Sequence, residues 1–375
     1  MSVQPLLAPV SVSLPSYLTG LIEIDTQAIA KNYRTLHSML PHSTCAAVLK
    51  ADAYGFGAKT IAPLLMHEGC RAFFVAHLEE GLLLKTVLKK PFVYVLSGLL
   101  PNTADLFVEN DLIPILNDFE MVKSWAKEAQ SRKSKLACAL HIDTGMRRSG
   151  FDQKNLTKLL DSSDLLKALD LHFVMSHLVS SQDNTHPYNE QQKTLFDDLR
   201  QHFPMTKASL ADTGGIYLGE SYHYDLVRPG KGIFGLFTPP NDSPLLHPCV
   251  KLLGRILQIR TACKGESVGY GATYTLTRES KLATLGVGFA DGYDRRFSTH
   301  SYVEIQGFKA PVIGNISMDY TVVDVTDIPE SLCLVGEWAE FANENLTLDE
   351  LAQSIGTISR ELSTGFGQRL YRVYC

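Results

Sequence analysis

The sequence lacks the features that mark several protein classes. Its seven cysteines (45, 70, 138, 249, 263, 333 and 375) are widely spaced and include no CxxC pair, so neither a disulfide framework nor a zinc knuckle is indicated. No apolar run approaches the about 20 residues that a membrane span needs. Lys and Arg are scattered along a chain of net charge −5, whereas a nucleic-acid-binding protein carries a basic face. The segment Met1–Gly20 contains prolines and has no basic start, unlike a secretory signal. Internal repeats and low-complexity stretches are also missing. These absences point to a soluble protein of a reduced, cytoplasmic compartment, with no nucleic-acid, membrane or metal partner.

What is present is an ordinary globular balance over 375 residues: 45% hydrophobic and 20% charged, which excludes disorder or coiled coil as descriptions of the whole. At roughly 150 residues per domain this length suits two domains, or one large barrel with an appendage. From Leu21 to about Cys249 short apolar runs alternate with amphipathic stretches. Strands are expected at Cys45–Leu49, Ala72–Val75, Phe92–Leu96, Leu112–Leu116, Lys135–Ile142, Leu169–Met175, Lys207–Leu210 and Asp225–Val227. Helices are expected at Thr26–Met39, Asp118–Arg132 and Asn189–Gln201; the first has Ile29, Tyr33, Leu36 and Leu40 on one face and Asp25 or Thr26 as its cap. Eight strand–helix units predict an α/β fold of the (β/α)8 barrel type, with a doubly wound open sheet as the competitor. After Pro248 the runs become short and β-branched: Leu252–Ile259, Lys281–Val287, Tyr302–Ile305, Pro311–Ile313 and Thr321–Val325. Only Thr347–Ile355 reads as helical there. The expected organisation is a barrel over 1–250, whose N-terminal segment could pack on the second domain, and a smaller, mostly antiparallel β domain over 251–375.

Barrel enzymes carry their chemistry at the C-terminal ends of the strands. The first strand there runs into Lys50 and a Gly-rich turn, Ala51-Asp52-Ala53-Tyr54-Gly55-Phe56-Gly57. Burial of such a lysine disfavours the ammonium and frees an amine for a Schiff base; from position alone, a lysine capping the rim is the commoner role. The fifth strand leads into Asp143-Thr144-Gly145-Met146-Arg147-Arg148, the sixth into Ser176-His177, the seventh into Asp212-Thr213-Gly214-Gly215 and the eighth into Arg228-Pro229-Gly230-Lys231-Gly232. Small residues let backbone N–H groups approach an anion, and phosphate sites after strands seven and eight recur in barrels. An amine, a guanidinium and two phosphate loops on one rim meet the needs of pyridoxal 5'-phosphate.

The stretches VLKADAYGFG (48–57), DTGMRRSG (143–150), VGYGATY (268–274), VGFADGYDRR (287–296) and GNISMD (314–319) resemble those of the bacterial alanine racemases, pyridoxal-phosphate enzymes with a fold type III barrel and a C-terminal β domain. The resemblance spans nearly the whole chain. It implies that Lys50 holds the cofactor and is one catalytic acid–base residue, with Tyr270 as the other. It places Arg228 at the pyridine nitrogen and His177 near the ring. Tyr54, Thr213, Gly230 and Lys231 fall at phosphate contacts, and Arg148 and the N–H of Met318 at the substrate carboxylate. It further implies a head-to-tail homodimer with Tyr270 supplied across the interface, and a role in making D-alanine for cell-wall precursors.

Four departures stand out. His141 replaces a lysine that many relatives carry, so Arg148 needs another partner, for which chloride or a nearby carboxylate is expected. Asp52 and Phe56 replace Asn and His in the lysine motif, Asn315 replaces an Arg, and Arg360 stands where a tyrosine is usual. A racemase of broader or serine specificity on the same scaffold, and a non-catalytic pyridoxal-phosphate carrier, are the alternatives. Carriers resemble the barrel alone, which weighs against the second.

Overall fold

The computed structural model describes residues 14–375; the reading of the first residues as lacking a secretory start falls largely on residues 1–13, outside that range. The described residues form two compact units, one of residues 29–247 and one of the residues up to 28 with 248–375.

The strands in chain order are β1 (Gly20–Ile24), β2 (Thr44–Cys45), β3 (Ala47–Val48), β4 (Ala72–Val75), β5 (Phe92–Val95), β6 (Ile113–Leu116), β7 (Leu136–His141), β8 (Leu169–Met175), β9 (Lys207–Ser209) and β10 (Leu226–Val227). In the larger unit β3 to β9 form a parallel ladder in sequence order. Main-chain bonds close it into a ring. Asp225 N–H donates to the Ala208 carbonyl (3.1 Å) and Arg228 N–H to Ala211 (2.9 Å), while Ala46 N–H donates to Val227 (3.0 Å) and Val48 N–H to Pro229 (2.9 Å). The barrel expectation holds, and the open sheet is set aside. Strands such as β4 and β6 are buried throughout, because a parallel sheet wrapped by helices hides both faces. Within the ring Phe74, Tyr94 and Phe173 pack with centroids 4.8–6.0 Å apart.

The helices start where their caps dictate. The Asp25 carboxylate accepts from Ala28 N–H (2.8 Å) ahead of Thr26–Ser38, and Asp118 accepts from Met121 N–H (2.8 Å) ahead of Phe119–Arg132; each satisfies an orphan donor of the first turn. Trp125, buried, donates its indole N–H to the Ala137 carbonyl (3.2 Å) and fastens that helix to β7.

The smaller unit contains β1 together with β11 (Val250–Ala262), β12 (Ser267–Val268), β13 (Tyr274–Thr275), β14 (Ser280–Leu285), β15 (Tyr302–Ile305), β16 (Phe308–Pro311), β17 (Thr321–Asp324), β18 (Trp338–Ala342) and β19 (Tyr371–Tyr374). The long β11 pairs β1 and β18 with its first half, bulges near Ile256, and pairs β14 with its second half. All pairings in this sheet are antiparallel except β1 with β19. The expected strand at Pro311–Ile313 begins earlier, as β16, and continues only as a bridge from Val312 to Val323. Thr347 caps Leu348–Ser354 in a reciprocal box with Glu350. The helix Ser359–Thr364, which contains Arg360, was not anticipated.

Candidate active site

The site is built at the C-terminal rim of the barrel. Beyond β3 the chain makes a left-handed turn: Ala51, Asp52, Ala53 and Tyr54 have φ of 52°, 52°, 55° and 60°. L-residues lose about 1–2 kcal/mol each in this conformation. Local bonds offset the cost. Ala53 N–H donates to Leu49 and Gly55 N–H to Ala51 (both 2.9 Å); Asp52, one of the departures, accepts from Ala58 N–H (2.7 Å) and starts the next helix. Glu80 accepts from Ala51 N–H (2.5 Å) with one oxygen and from Ala76 and His77 N–H with the other. Phe56, another departure, is buried and packs 5.3 Å from Phe234. Ala51→Gly is expected to raise stability by about 0.5–1 kcal/mol, since relief of the positive φ outweighs the glycine's unfolded-state entropy. A lower thermal midpoint for this exposed position would contradict it.

The turn brings the Tyr54 hydroxyl over Gly230, where a Cβ would lie 2.2 Å from it; only glycine permits that approach. The Thr213 hydroxyl oxygen accepts from Gly230 N–H (3.2 Å) and Gly232 N–H (3.1 Å), so its own proton is directed elsewhere. Lys231, buried, lies 4.6 Å over the Phe237 ring. A tight cradle of Tyr54, Thr213, Gly230 and Lys231 fits a phosphate dianion.

Arg228 is buried and tied to the barrel wall. Its guanidinium donates to the Ser209 hydroxyl, to the Ser176 carbonyl (2.6 Å) and to the Leu210 carbonyl (3.3 Å). Burial pushes it down to about 10, against the pull of Asp212, so it remains a cation at neutral pH with N–H groups left to donate.

Between these groups stands His177, whose carbonyl accepts from the Gln192 amide (3.0 Å). Gln192 also donates to Thr144 (3.1 Å) and accepts from Val179 N–H (2.8 Å). Burial pushes the imidazole down to about 4; the Asp212 charge opposes this, while Arg228, Arg148 and Lys50 reinforce it. Burial alone would raise Asp212, but His177, Lys231 and the Gly215 N–H hold it below the usual range. Lys50, Arg148, His177 and Arg228 thus meet within one electrostatic neighbourhood. His141, pushed down to about 3 by burial and then by Arg228 and His177, borders it.

These two histidines imply a pH dependence. In the unfolded chain they titrate near 6.5, so above that value both states are neutral and the shifts contribute nothing. Below it the unfolded chain binds protons that the folded chain refuses. Stability is expected to fall by about 1.4 kcal/mol per pH unit for each histidine, down to about pH 4 for His177 and pH 3 for His141. Urea unfolding at pH 7, 6 and 5 checks this; a constant free energy over that range would contradict it.

Tyr270 and Met318 stand in the other unit, both exposed at 72% and 56%. Tyr270 opens the short turn Tyr270–Ala272, flanked by Gly269 and Gly271 at positive φ, and its carbonyl accepts from the Asn315 amide (2.8 Å). Asn315, a departure in sequence, is therefore a brace for the tyrosine turn. The Met318 carbonyl accepts from Ala290 N–H (3.0 Å). Arg369 clamps the same loop, donating twice to Asp291 (2.9 Å each) and once to Asp319 (2.6 Å). Ser209, Asn117 and Arg369 escaped the sequence reading; Ser176 and Asp212 were quoted there only as parts of their loops.

Within the described residues no group of three or more His, Cys, Asp or Glu could hold a metal, and no helix is long and apolar enough to cross a membrane.

Fold and rim together define a barrel enzyme with an appended β domain, whose rim suits a phosphorylated aldehyde cofactor. Residues 24–238 match the family model "Alanine racemase, N-terminal domain", and residues 249–374 match "Alanine racemase, C-terminal domain". The alanine racemase of Rickettsia canadensis is 39% identical over 94% of this chain and 98% of its own length; that of Rhodospirillum rubrum is 40% identical over 95% and 96%. The crystal structure of the Bartonella henselae alanine racemase with covalently bound pyridoxal phosphate superposes with a TM-score of 0.91 at 36% identity, covering 95% of this chain and 99% of that one. The chain belongs to the alanine racemase family.

Proposed function

We propose that this protein interconverts L-alanine and D-alanine with pyridoxal 5'-phosphate, supplying D-alanine for cell-wall precursors in the cytoplasm. The observation that carries the reading is the meeting of Lys50, Arg148 and Arg228 around His177 on the barrel rim of an alanine racemase family member. Bound at this rim, the cofactor supplies an electron sink that makes the substrate's Cα–H acidic. Tyr54, Thr213, Gly230 and Lys231 hold its phosphate, Lys50 holds its aldehyde carbon, and Arg228 donates to its ring nitrogen. Arg148 and the Met318 N–H hold the substrate carboxylate.

Racemisation removes a proton from one face of Cα and returns one to the other, so two acid–base groups on opposite sides suffice. The Lys50 amine, displaced by substrate, serves one face. Tyr270 of the partner subunit serves the other, so the working unit is a homodimer. The outward presentation of Tyr270 and Met318 supports this reading, since large apolar side chains at motif positions gain from a partner that covers them.

The test is chiral detection of product after incubating purified protein and cofactor with L-alanine, L-serine or L-lysine. D-alanine as the dominant product is expected. Cofactor-loaded protein that racemises serine better, or forms no D-amino acid, would move the assignment to another racemase or to a carrier.

A further inference from the structure

We propose that Glu80 is a positioning residue for the cofactor end of the site: its carboxylate bridges the loops beyond two neighbouring barrel strands and holds the left-handed turn that carries Lys50 and Tyr54. This rests on the reading of Lys50 and Tyr54 as cofactor-holding residues and adds what fixes the lysine end of their turn.

The main-chain bonds of the turn do not choose its hand. Ala51, Asp52, Ala53 and Tyr54 all have φ between 52° and 60°, a region that L-residues disfavour at every position. The bonds from Ala53 N–H to Leu49 and from Gly55 N–H to Ala51 join residues four apart, as in a right-handed helix. A right-handed turn makes the same pairings without the steric cost, so ties from outside must select the observed one. At the far end, Tyr54 and Phe56 each pack 5.3 Å from the Phe234 ring. At the lysine end, Glu80 Oε1 accepts from Ala51 N–H (2.5 Å), one of the first-turn donors that a helix cannot pair internally. That N–H shares a planar peptide with the Lys50 carbonyl. Aiming it therefore sets the direction in which the chain leaves Lys50.

Glu80 is itself fixed. Its other oxygen accepts from Ala76 N–H (2.7 Å) and His77 N–H (3.1 Å), at the start of the helix Leu78–Lys85. That helix lies hard on the barrel wall, since a Cβ on Gly81 would come within 3.1 Å of Leu112 and 3.4 Å of Val95. β3 and β4 are neighbours, with Val48 paired to Phe74, so the carboxylate spans the loops that follow adjacent strands. Three N–H groups shared between two oxygens call for a carboxylate, which only accepts; a glutamine amide presents an NH2 group at one end. The two donors at the helix start would take the glutamine oxygen, a pairing that capping boxes accommodate. The NH2 would then face Ala51 N–H, donor against donor. Glu80→Gln thus keeps the helix start and breaks the bridge.

Holoenzyme carrying Glu80→Gln tests the idea. Dialysis against graded pyridoxal phosphate, with bound cofactor read by visible absorption, should show the dissociation constant raised roughly tenfold or more, the size of a lost hydrogen bond to a charged group. At saturating cofactor, KM for alanine should stay within about threefold of wild type, because the Arg148 loop is untouched. Hydrogen exchange read by mass spectrometry should quicken by about tenfold or more over residues 49–57 and stay unchanged over residues 78–85. Glu80→Asp, one methylene too short to reach Ala51 while accepting from its own helix start, should behave alike and keeps the test open if the first variant folds poorly. Wild-type cofactor affinity, unchanged exchange over 49–57, or exchange quickened equally over 78–85 would each overturn the proposal, the last by making Glu80 a helix cap alone. Borohydride reduction of the wild-type holoenzyme separates the two layers. If it fixes the cofactor to a residue other than Lys50, the reading of Lys50 fails; if it fixes it to Lys50 while Glu80→Gln binds cofactor as wild type does, only the role of Glu80 falls.

Discussion

Mixing Lys50→Ala with Tyr270→Phe, each inactive alone, is expected to restore racemisation to about one quarter of the wild-type rate after subunit exchange. In the proposed roles each substitution removes one of two acid–base groups, a loss of about 10²–10⁴-fold, and Lys50→Ala also removes the proposed holder of the cofactor. In a symmetric dimer with crossed sites, random exchange makes about half of the dimers hybrid. One site of a hybrid then combines both defects and the other combines both intact groups. If Lys50 and Tyr270 act from one chain, each hybrid site retains one defect and the mixture stays inactive. The measurement therefore tests both roles and the subunit arrangement. A second readout separates the faces of Cα: in D2O, Tyr270→Phe should still exchange the α-hydrogen of one alanine enantiomer and not the other.

How much of this was legible in sequence differs between the two units. Barrel strands such as Ala72–Val75 and Ile113–Leu116 are buried on both faces, so they read as short unbroken apolar runs, and all eight were located. In the β unit, Trp338–Ala342 interrupts its buried residues with the half-buried Trp338 and Glu340, and Tyr371–Tyr374 has no fully buried residue; both were missed. The partner of β1 was hidden because pairing with β11 and β19 joins segments more than two hundred residues apart. The site divides the same way. Lys50 and Arg228 were visible because each stands directly beyond an apolar strand, at the rim where a barrel carries its chemistry, while the cofactor role of Lys50 came from the resemblance carried by residues 48–57. Ser209, Ser176 and Asn117 are common neutral residues whose importance exists only through what they touch. His141 was noted as a departure, but its partner Asn117 is itself held by two carbonyls from other parts of the barrel wall, a relation no run of sequence displays.

The same dependence makes Arg228→Glu the most disruptive single change at the rim. The guanidinium donates to Ser209, to the Ser176 carbonyl and to the Leu210 carbonyl. A carboxylate donates to none of them and places negative charge against two carbonyl oxygens. In protein without cofactor this is expected to cost about 3–5 kcal/mol of folding stability, the usual penalty for an uncompensated buried charge. When pyridoxal phosphate is bound the substitution has a chemical consequence as well. Arg228 keeps its own protons at neutral pH, so in its proposed place it would donate to the ring nitrogen without protonating it. A glutamate there would favour a protonated ring nitrogen, which would make the bound cofactor a stronger electron sink. Protonation at Cα, which completes racemisation, is then disfavoured relative to the route that yields keto acid. The expected result is racemisation slowed by about 10²-fold or more, the size of other electrostatic losses at reacting centres, with a raised ratio of pyruvate to D-alanine. Arg228→Lys, which keeps a cationic donor but loses the fork, should slow the enzyme without raising that ratio. A ratio unchanged in Arg228→Glu, measured on cofactor-loaded protein, would mean that Arg228 holds the barrel rim together without steering the reaction.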